Sequence, residues 1–159
     1  MSIAEQIVDY LIGDDLLLAS AVVEAPSLPA GPPAVAAAGP RAAADPNGYR
    51  YALEAIREGH RLHYNEGLLI SSSDEDLALL AGDRLYAAGL ERMAAIGDLE
   101  AVSELSKLIQ RCAMAAAEGS PDAAEQAWQD SCELIGGVVS GSDRAGIDPG
   151  EDSVLPEPL

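Results

Sequence analysis

Three observations predict that this chain is all-α, an antiparallel helical bundle. Apolar residues recur three and four positions apart over residues 77–96 and again over 99–118, the spacing that lines one face of a helix. Alanine and leucine dominate and phenylalanine is absent, a composition that suits closely packed helices better than a sheet. No alternating apolar and polar run is long enough for a core strand. At 159 residues, the chain is expected to form a single core.

The first predicted element is an N-terminal helical segment, residues 1–25. Ser2 is placed to cap it, because Glu5 follows three residues later as in a capping box, and Gly13 is expected to interrupt it. Six prolines and two glycines then fall within residues 26–46. Since proline fixes φ and removes a backbone donor, this segment is predicted to be a Pro/Ala-rich linker or ordered loop outside the core.

A helical bundle domain is predicted over residues 47–140. Its helices are expected at residues 47–66, 77–96 and 99–118, and from Ser120–Pro121 onward. Turns of two or three residues at Gly97–Asp98 and Gly119–Ser120 predict antiparallel neighbours, with Asp98 capping the second long helix. Residues 141–159 are rich in glycine, aspartate and proline and are predicted to be an acidic, disordered tail.

The most informative pattern is a stripe of apolar and small residues along the helix 77–96. Two of its members are glycines, and each glycine inside a helix costs about 1 kcal/mol relative to alanine. Glycine at that cost indicates a place where another helix packs closely, so the stripe is predicted to be an interface with a partner chain. The predicted interface residues are Leu79, Gly82, Tyr86, Gly89, Met93 and Ile96, continued on the next helix by Val102, Leu105 and Ile109.

A second glycine pattern occurs near the end of the last predicted helix, at Gly136–Gly137. It is either the end of that helix or another point of close packing.

The charge balance restricts the class of partner. The chain has 27 acidic and 9 basic residues, a net charge of -18, which repels phosphate backbones and anionic headgroups. No nucleic acid is therefore expected as a partner. High-salt adaptation would also produce this acidity. The apolar run at residues 16–23 is too short to cross a bilayer, so no membrane insertion is expected and a cytoplasmic location is predicted. Cys112 and Cys132 are predicted to be buried, reduced thiols.

The middle of the chain carries a family resemblance. Leu80-Ala-Gly-Asp-Arg-Leu-Tyr-Ala87 opens a long helix, and the Gly97–Asp98 turn leads into the next. From His63-Tyr-Asn-Glu66 through Leu108-Ile109, under a third of the chain, the sequence resembles the all-α polyprenyl diphosphate synthases. It is most similar to the non-catalytic small component of two-component heptaprenyl diphosphate synthases.

The departures from that family bear on activity. Its catalytic members carry aspartate-rich boxes, usually followed by paired arginines, that hold Mg²⁺ against a diphosphate. No such box precedes Gly82 here, because Asp74-Glu75-Asp76 lies too close to it and lacks the arginines, and no second box follows. The resemblance therefore implies a non-catalytic accessory or regulatory subunit, without a cofactor, that pairs with a polyprenyl diphosphate synthase catalytic subunit in isoprenoid biosynthesis.

Two alternatives stay open. His60, His63 and Glu66 are three residues apart on one helix, and with an acid from another helix they would form a divalent-metal or small-molecule site. The protein would then be a ligand-binding helical bundle, and an enzyme is one form of it. In the other alternative, the glycine stripe pairs with a second copy of itself in a structural homodimer.

Overall fold

The fold is all-α, as the sequence predicts, in a computed structural model that describes residues 1–13 and 15–138. The predicted tail 141–159 lies outside these residues. The helices are α1 (Ile3–Ile12), α2 (Leu16–Ala19), α3 (Pro32–Ala37), α4 (Pro46–Tyr64), α5 (Glu75–Ile96), α6 (Leu99–Ala117) and α7 (Pro121–Gly136). A short 3₁₀ helix at Pro40–Ala42 joins α3 to α4. No helix of the described part combines the length and apolar character needed to cross a membrane.

The helix ends follow from local side-chain chemistry. Ser2 and Glu5 form the predicted capping box at the start of α1, and Gly13 ends that helix. The Asp98 carboxylate accepts the N–H of Ala101 and begins α6, as predicted. Gly97 ends α5 in the left-handed region with φ 91°, which glycine adopts without strain. These caps turn the chain back on itself between the long helices.

The glycines of α5 are where α4 lies closest. A Cβ added to Gly82 would lie 2.7 Å from the His63 ring, and one added to Gly89 would lie 2.5 Å from Ile56 Cγ1. Gly59 on α4 completes the contact, since its Cβ would lie 2.9 Å from the Gly82 carbonyl oxygen. Residue numbers rise along α5 as they fall along α4, so the two helices are antiparallel.

The predicted close helix contact is therefore present, and the helix that fills it belongs to the same chain. Gly82, Gly89, Met93 and Leu105 are buried inside this chain, which replaces the predicted contact with a partner. The partly buried members pack against the core: Tyr86, Ile96, Val102 and Ile109. Leu79 alone among the nine predicted interface residues is exposed, at 41%. The glycine spacing reports how closely two helices approach, and it carries no information about which chain supplies the second helix.

The predicted linker contains part of the core, which corrects the prediction for residues 32–42. Pro32 occupies the first turn of α3, where its missing N–H is not needed. α3 then packs against α7, and a Cβ on Gly136 would lie 2.8 Å from the Cα of Ala36. The small side chains permit this approach, and three of them are buried, at Ala36, Ala37 and Ala42.

Gly136–Gly137 fulfils both alternatives left open by the sequence. Gly136 lies directly against α3, and Gly137 ends α7 with φ 70°. A side chain at Gly136 would separate α3 from α7, while one at Gly137 would strain the turn.

A buried carboxylate fixes the chain beyond α4. Glu58 is fully buried, and its Oε1 accepts the N–H groups of Leu69 at 2.8 Å and Ile70 at 3.3 Å. Its Oε2 lies 3.2 Å from the Arg61 guanidinium. The segment after α4 is thereby held against the helix, which shapes one end of the cleft described next.

Candidate functional site

A cleft of about 760 Å³ opens where the carboxyl ends of α4 and α6 meet the amino end of α7. This volume lies within the range of roughly 300 to 1,000 Å³ typical of small-molecule sites. Side chains from all three helices line it, among them Arg57, His60, Tyr64, Cys112, Ala124 and Trp128. The cleft has a mixed lining, in which alanines and Leu68 alternate with charged and polar side chains.

Buried polar atoms without a hydrogen-bond partner belong to residues that line this cleft. Within residues 1–13 and 15–138, three buried side-chain atoms have no hydrogen-bond partner: Arg57 Nη1, His60 Nδ1 and Trp128 Nε1. All three residues line the cleft. The buried acids elsewhere are paired, as in the 2.7 Å contact of Arg50 with Glu54. Because native structures leave few buried polar groups unpaired, three in one cleft mark it as different from the rest of the fold.

Arg57 uses one arm of its guanidinium and leaves the other free. Its Nη2 donates to Glu125 Oε2 at 2.8 Å, and its Cζ lies 5.0 Å from the centroid of the Trp128 ring. The Arg57 side chain is 16% exposed, whereas that of Glu125 is 49% exposed. The cation thus lies inside the cleft on the face of an indole, and its counter-ion lies at the rim.

His60 is held neutral in this setting. Burial lowers its pKa to about 4, and the positive charges of Arg57 and Arg61 act in the same direction. Its ring centroid lies 5.2 Å from that of Tyr64 and 6.4 Å from that of Trp128. At neutral pH the imidazole therefore offers one donor and one acceptor within an aromatic wall.

The two cysteines confirm the prediction of buried, free thiols. Burial raises the pKa of Cys112 to about 11, although the nearby Trp128 N–H acts in the opposite direction. The Cys112 sulfur is a weak acceptor, and its contact with the Trp128 N–H does not have the geometry of a hydrogen bond. Burial also raises the pKa of Cys132 to about 12. Both thiols are protonated at neutral pH and are poor nucleophiles.

The predicted metal ligands do not converge. His63 Nε2 lies 2.9 Å from Asp83 Oδ1, and its ring stacks on Tyr86 at 5.0 Å with an interplanar angle of 5°. His60 instead contacts Tyr64 and Trp128, while Glu66 is exposed at the rim. In the part of the chain that the structure describes, no three His, Cys, Asp or Glu side chains are grouped to hold a metal ion. Helical spacing placed these residues near one another without aiming them at one point.

The sequence identified His60 as a site residue but missed the two residues that make its surroundings distinctive. Arg57 precedes His60 by three residues on α4, and Trp128 is buried on α7. The signals available were the spacing of Arg57 from His60 and the presence of a single tryptophan in the chain. Neither shows that α7 lies beside α4.

Comparisons with protein-family models, curated proteins and solved structures find no match to this chain. The resemblance to polyprenyl diphosphate synthases accordingly stays a prediction.

Proposed function

We propose that this protein is a small-molecule-binding helical bundle whose ligand occupies the cleft between α4, α6 and α7. The observation that carries the proposal is that all three unpartnered buried side-chain atoms of the described chain belong to residues lining one cleft of ligand size. This proposal keeps the predicted role of His60 in ligand binding and dispenses with the metal.

A ligand in the cleft would complete hydrogen bonds that the folded chain leaves unmade. A buried donor without an acceptor costs about 1 to 3 kcal/mol, and a ligand that supplies the acceptor recovers part of that cost on binding. Arg57 Nη1 and Trp128 Nε1 only donate, while His60 Nδ1 does either. The ligand is therefore expected to present acceptor atoms to these groups and an apolar surface to the alanines around them.

The site is suited to recognition because its groups are already positioned. The Arg57 guanidinium is fixed by Glu125 on one side and by the Trp128 ring on the other. Trp128 is 1% exposed and cannot rotate freely within the core. A preformed site of this kind loses little conformational entropy on binding.

The direct test is a binding titration followed by the fluorescence of Trp128, the chain's one tryptophan. Phenyl compounds bearing a carboxylate, a phosphate, an amide or an amine serve as probes. We expect at least one to give a saturable signal in the wild-type protein. Ala124→Leu, which adds bulk to the cleft wall, is expected to weaken that binding at least tenfold.

Ala123→Leu is the matched control, because Ala123 is the exposed neighbour of Ala124 and lies outside this cleft. It is expected to bind as the wild type does. If no probe gives a saturable signal, or if both variants bind like the wild type, the ligand does not occupy this cleft and the proposal fails.

An accessory role with a protein partner is a second proposal, supported by a different surface. Leu79 and Leu80 at the start of α5 are adjacent and exposed, at 41% and 52%. Both residues belong to the helix 77–96, which is predicted to bind a polyprenyl diphosphate synthase-type subunit or a second copy of the chain. Light scattering of the wild type against Leu79→Asp tests the homodimer, and an unchanged monomeric mass in both would exclude it.

A further inference from the structure

Resting on the proposed function, we infer that the ligand of this cleft is an organic oxyanion, an acidic group on an apolar body. Its oxygens accept hydrogen bonds from Arg57 Nη1 and Trp128 Nε1. A carboxylate and a phosphate monoester share this chemistry, and the experiment below separates them.

Two of the three unpartnered atoms are obligatory donors. Arg57 Nη1 and Trp128 Nε1 carry hydrogens and accept none, so a cationic ligand would leave both unpartnered. The Arg57 Cζ lies 5.0 Å from the Trp128 ring centroid, so the two donor residues are neighbours in the lining of the cleft. Hydrogen bonds from a guanidinium to an ionised oxygen are roughly twice as strong as neutral ones.

Positive charge lies deeper in the cleft than negative charge. Arg57 and Arg61 are 16% and 14% exposed, whereas Glu125 is 49% exposed. Arg61 is neutralised from beneath by the fully buried Glu58, at 3.2 Å. Arg57 has its counter-ion at the rim, and so the inner part of the cleft is cationic although the chain has a net charge of -18.

The helix ends do not supply this attraction. The carboxyl ends of α4 and α6 face the cleft together with the amino end of α7, and two negative dipole ends outweigh one positive end. The Glu66 side chain adds a further negative charge at the rim. Arg57 must therefore provide most of the attraction for an anion, which makes the inference specific to this residue.

The size and walls of the cleft favour an organic body over a bare ion. A volume of about 760 Å³ exceeds what an inorganic oxyanion fills. Leu68, Ala116 and Ala124 provide accessible apolar surface in the same cleft. An aromatic or aliphatic body there gains from burial at about 25 cal/mol per Å².

The experiment measures affinities by calorimetry on the full chain for phenylacetate, phenyl phosphate, phenylacetamide, phenethylamine and inorganic phosphate. We expect one of the two organic anions to bind at least tenfold more tightly than the amide and the amine. The tighter of the two identifies the acidic group. Inorganic phosphate is expected to bind at least tenfold more weakly than phenyl phosphate.

Four variants test which residues cause the preference for the anion. Arg57→Gln is expected to abolish the preference for the anion over the amide, because the cation that distinguishes the two ligands is removed, whereas Arg57→Lys retains part of it. Glu125→Gln is expected to tighten anion binding several-fold, because a competing negative charge is removed. Trp128→Phe keeps an aromatic ring and removes the indole donor, and it is expected to weaken anion binding. Circular dichroism confirms that each variant is folded.

The outcomes separate this inference from the proposed function. If the amide or amine binds in the cleft as tightly as the anions, the site is real and the oxyanion inference fails. Inorganic phosphate binding as tightly as phenyl phosphate would show an adventitious ion only and would also overturn it. Binding of none of the probes would overturn the inference together with the proposed function.

Discussion

Asp98 shows how a single side chain connects distant segments of this fold. Its carboxylate caps α6, accepts the Tyr49 hydroxyl at 2.6 Å and lies 2.7 Å from Arg41 Nη2. Burial opposes its ionisation, but the hydrogen bonds from Tyr49 and Ala101 and the charge of Arg41 prevail, so the pKa of Asp98 is lowered. Burial raises the pKa of Tyr49, and the hydrogen bond to the Asp98 carboxylate raises it further, to about 12.

Asp98→Asn is expected to reduce the free energy of unfolding by about 1 to 2 kcal/mol at neutral pH, because a charge-assisted pair with Arg41 is lost. Since the folded pKa is depressed, this stability is present above the unfolded value of 3.8 and is lost as pH falls through the folded value. Chemical denaturation across acid pH measures it. Asp9→Asn, at an exposed position on α1, is the control and is expected to have little effect.

His60 gives a second pH-dependent prediction, with its own window. Because its folded pKa is about 4 and its unfolded value is 6.5, the unfolded chain binds the proton more readily. His60 does not change the free energy of unfolding with pH above 6.5. Below that value, the free energy of unfolding falls as pH drops from 6.5 towards 4. The His60→Gln variant is expected to lose less of its free energy of unfolding over that pH interval than the wild type does. An unchanged pH dependence in the variant would contradict a neutral, buried imidazole.

The α4–α5 pair is the element that organises the bundle. Gly59 and Gly82 lie against each other, and Gly89 lies against Ala52 and Ile56. Close approach of two antiparallel helices gives each position on α5 a fixed opposite on α4. One consequence is that His63 is drawn to Tyr86 and Asp83, while His60 faces α7.

Gly89→Leu is expected to destabilise the folded monomer by about 2 kcal/mol or more, since its Cβ would meet Ile56 Cγ1 at 2.5 Å and the Ala52 carbonyl oxygen at 2.6 Å. Ala87→Leu, at an exposed position on the same helix, is the control. Thermal unfolding measures both variants, and light scattering follows their mass. A stable Gly89→Leu variant would contradict the intramolecular contact.

The elements that the sequence predicts well are those with strong local signals. The caps at Ser2 and Asp98 and the helix start at Ser120–Pro121 are confirmed, because a cap depends on residues within one turn of it. The close contact at Gly82 and Gly89 is confirmed as well. Local sequence does not determine which chain supplies the opposing helix, and the pattern was interpreted as a contact with a partner chain.

The alanines of α3 illustrate the other limit of sequence patterns. Proline content predicts a break in helix structure, and residues 26–31 have no helix. It does not predict that Ala36 will be covered by Gly136, one hundred residues away. The cleft has the same origin, since Arg57, Cys112 and Trp128 become neighbours only when three helices pack. Local pattern therefore predicted the helices and three residues of the cleft lining, His60, His63 and Glu66, and tertiary packing made the site.

At the scale of the whole molecule, most buried polar groups are satisfied and a few are not. Glu104 is paired with Arg111 and Ser131 at 2.8 Å each, which joins α6 to α7. The unpartnered groups of the described chain instead gather at one end of the bundle, around a single indole. A stable scaffold with unsatisfied donors at one cleft is the arrangement expected of a binding protein.

The indole N–H of Trp128 gives the most direct test of this account. The chain has one tryptophan, so a ¹⁵N-labelled sample shows one indole cross-peak. On titration with phenylacetate or phenyl phosphate, we predict that this peak shifts saturably downfield as its proton gains an acceptor. The shift is predicted to persist in Ala123→Leu and to disappear in Ala124→Leu. An indole peak that stays in place throughout both titrations would contradict the account.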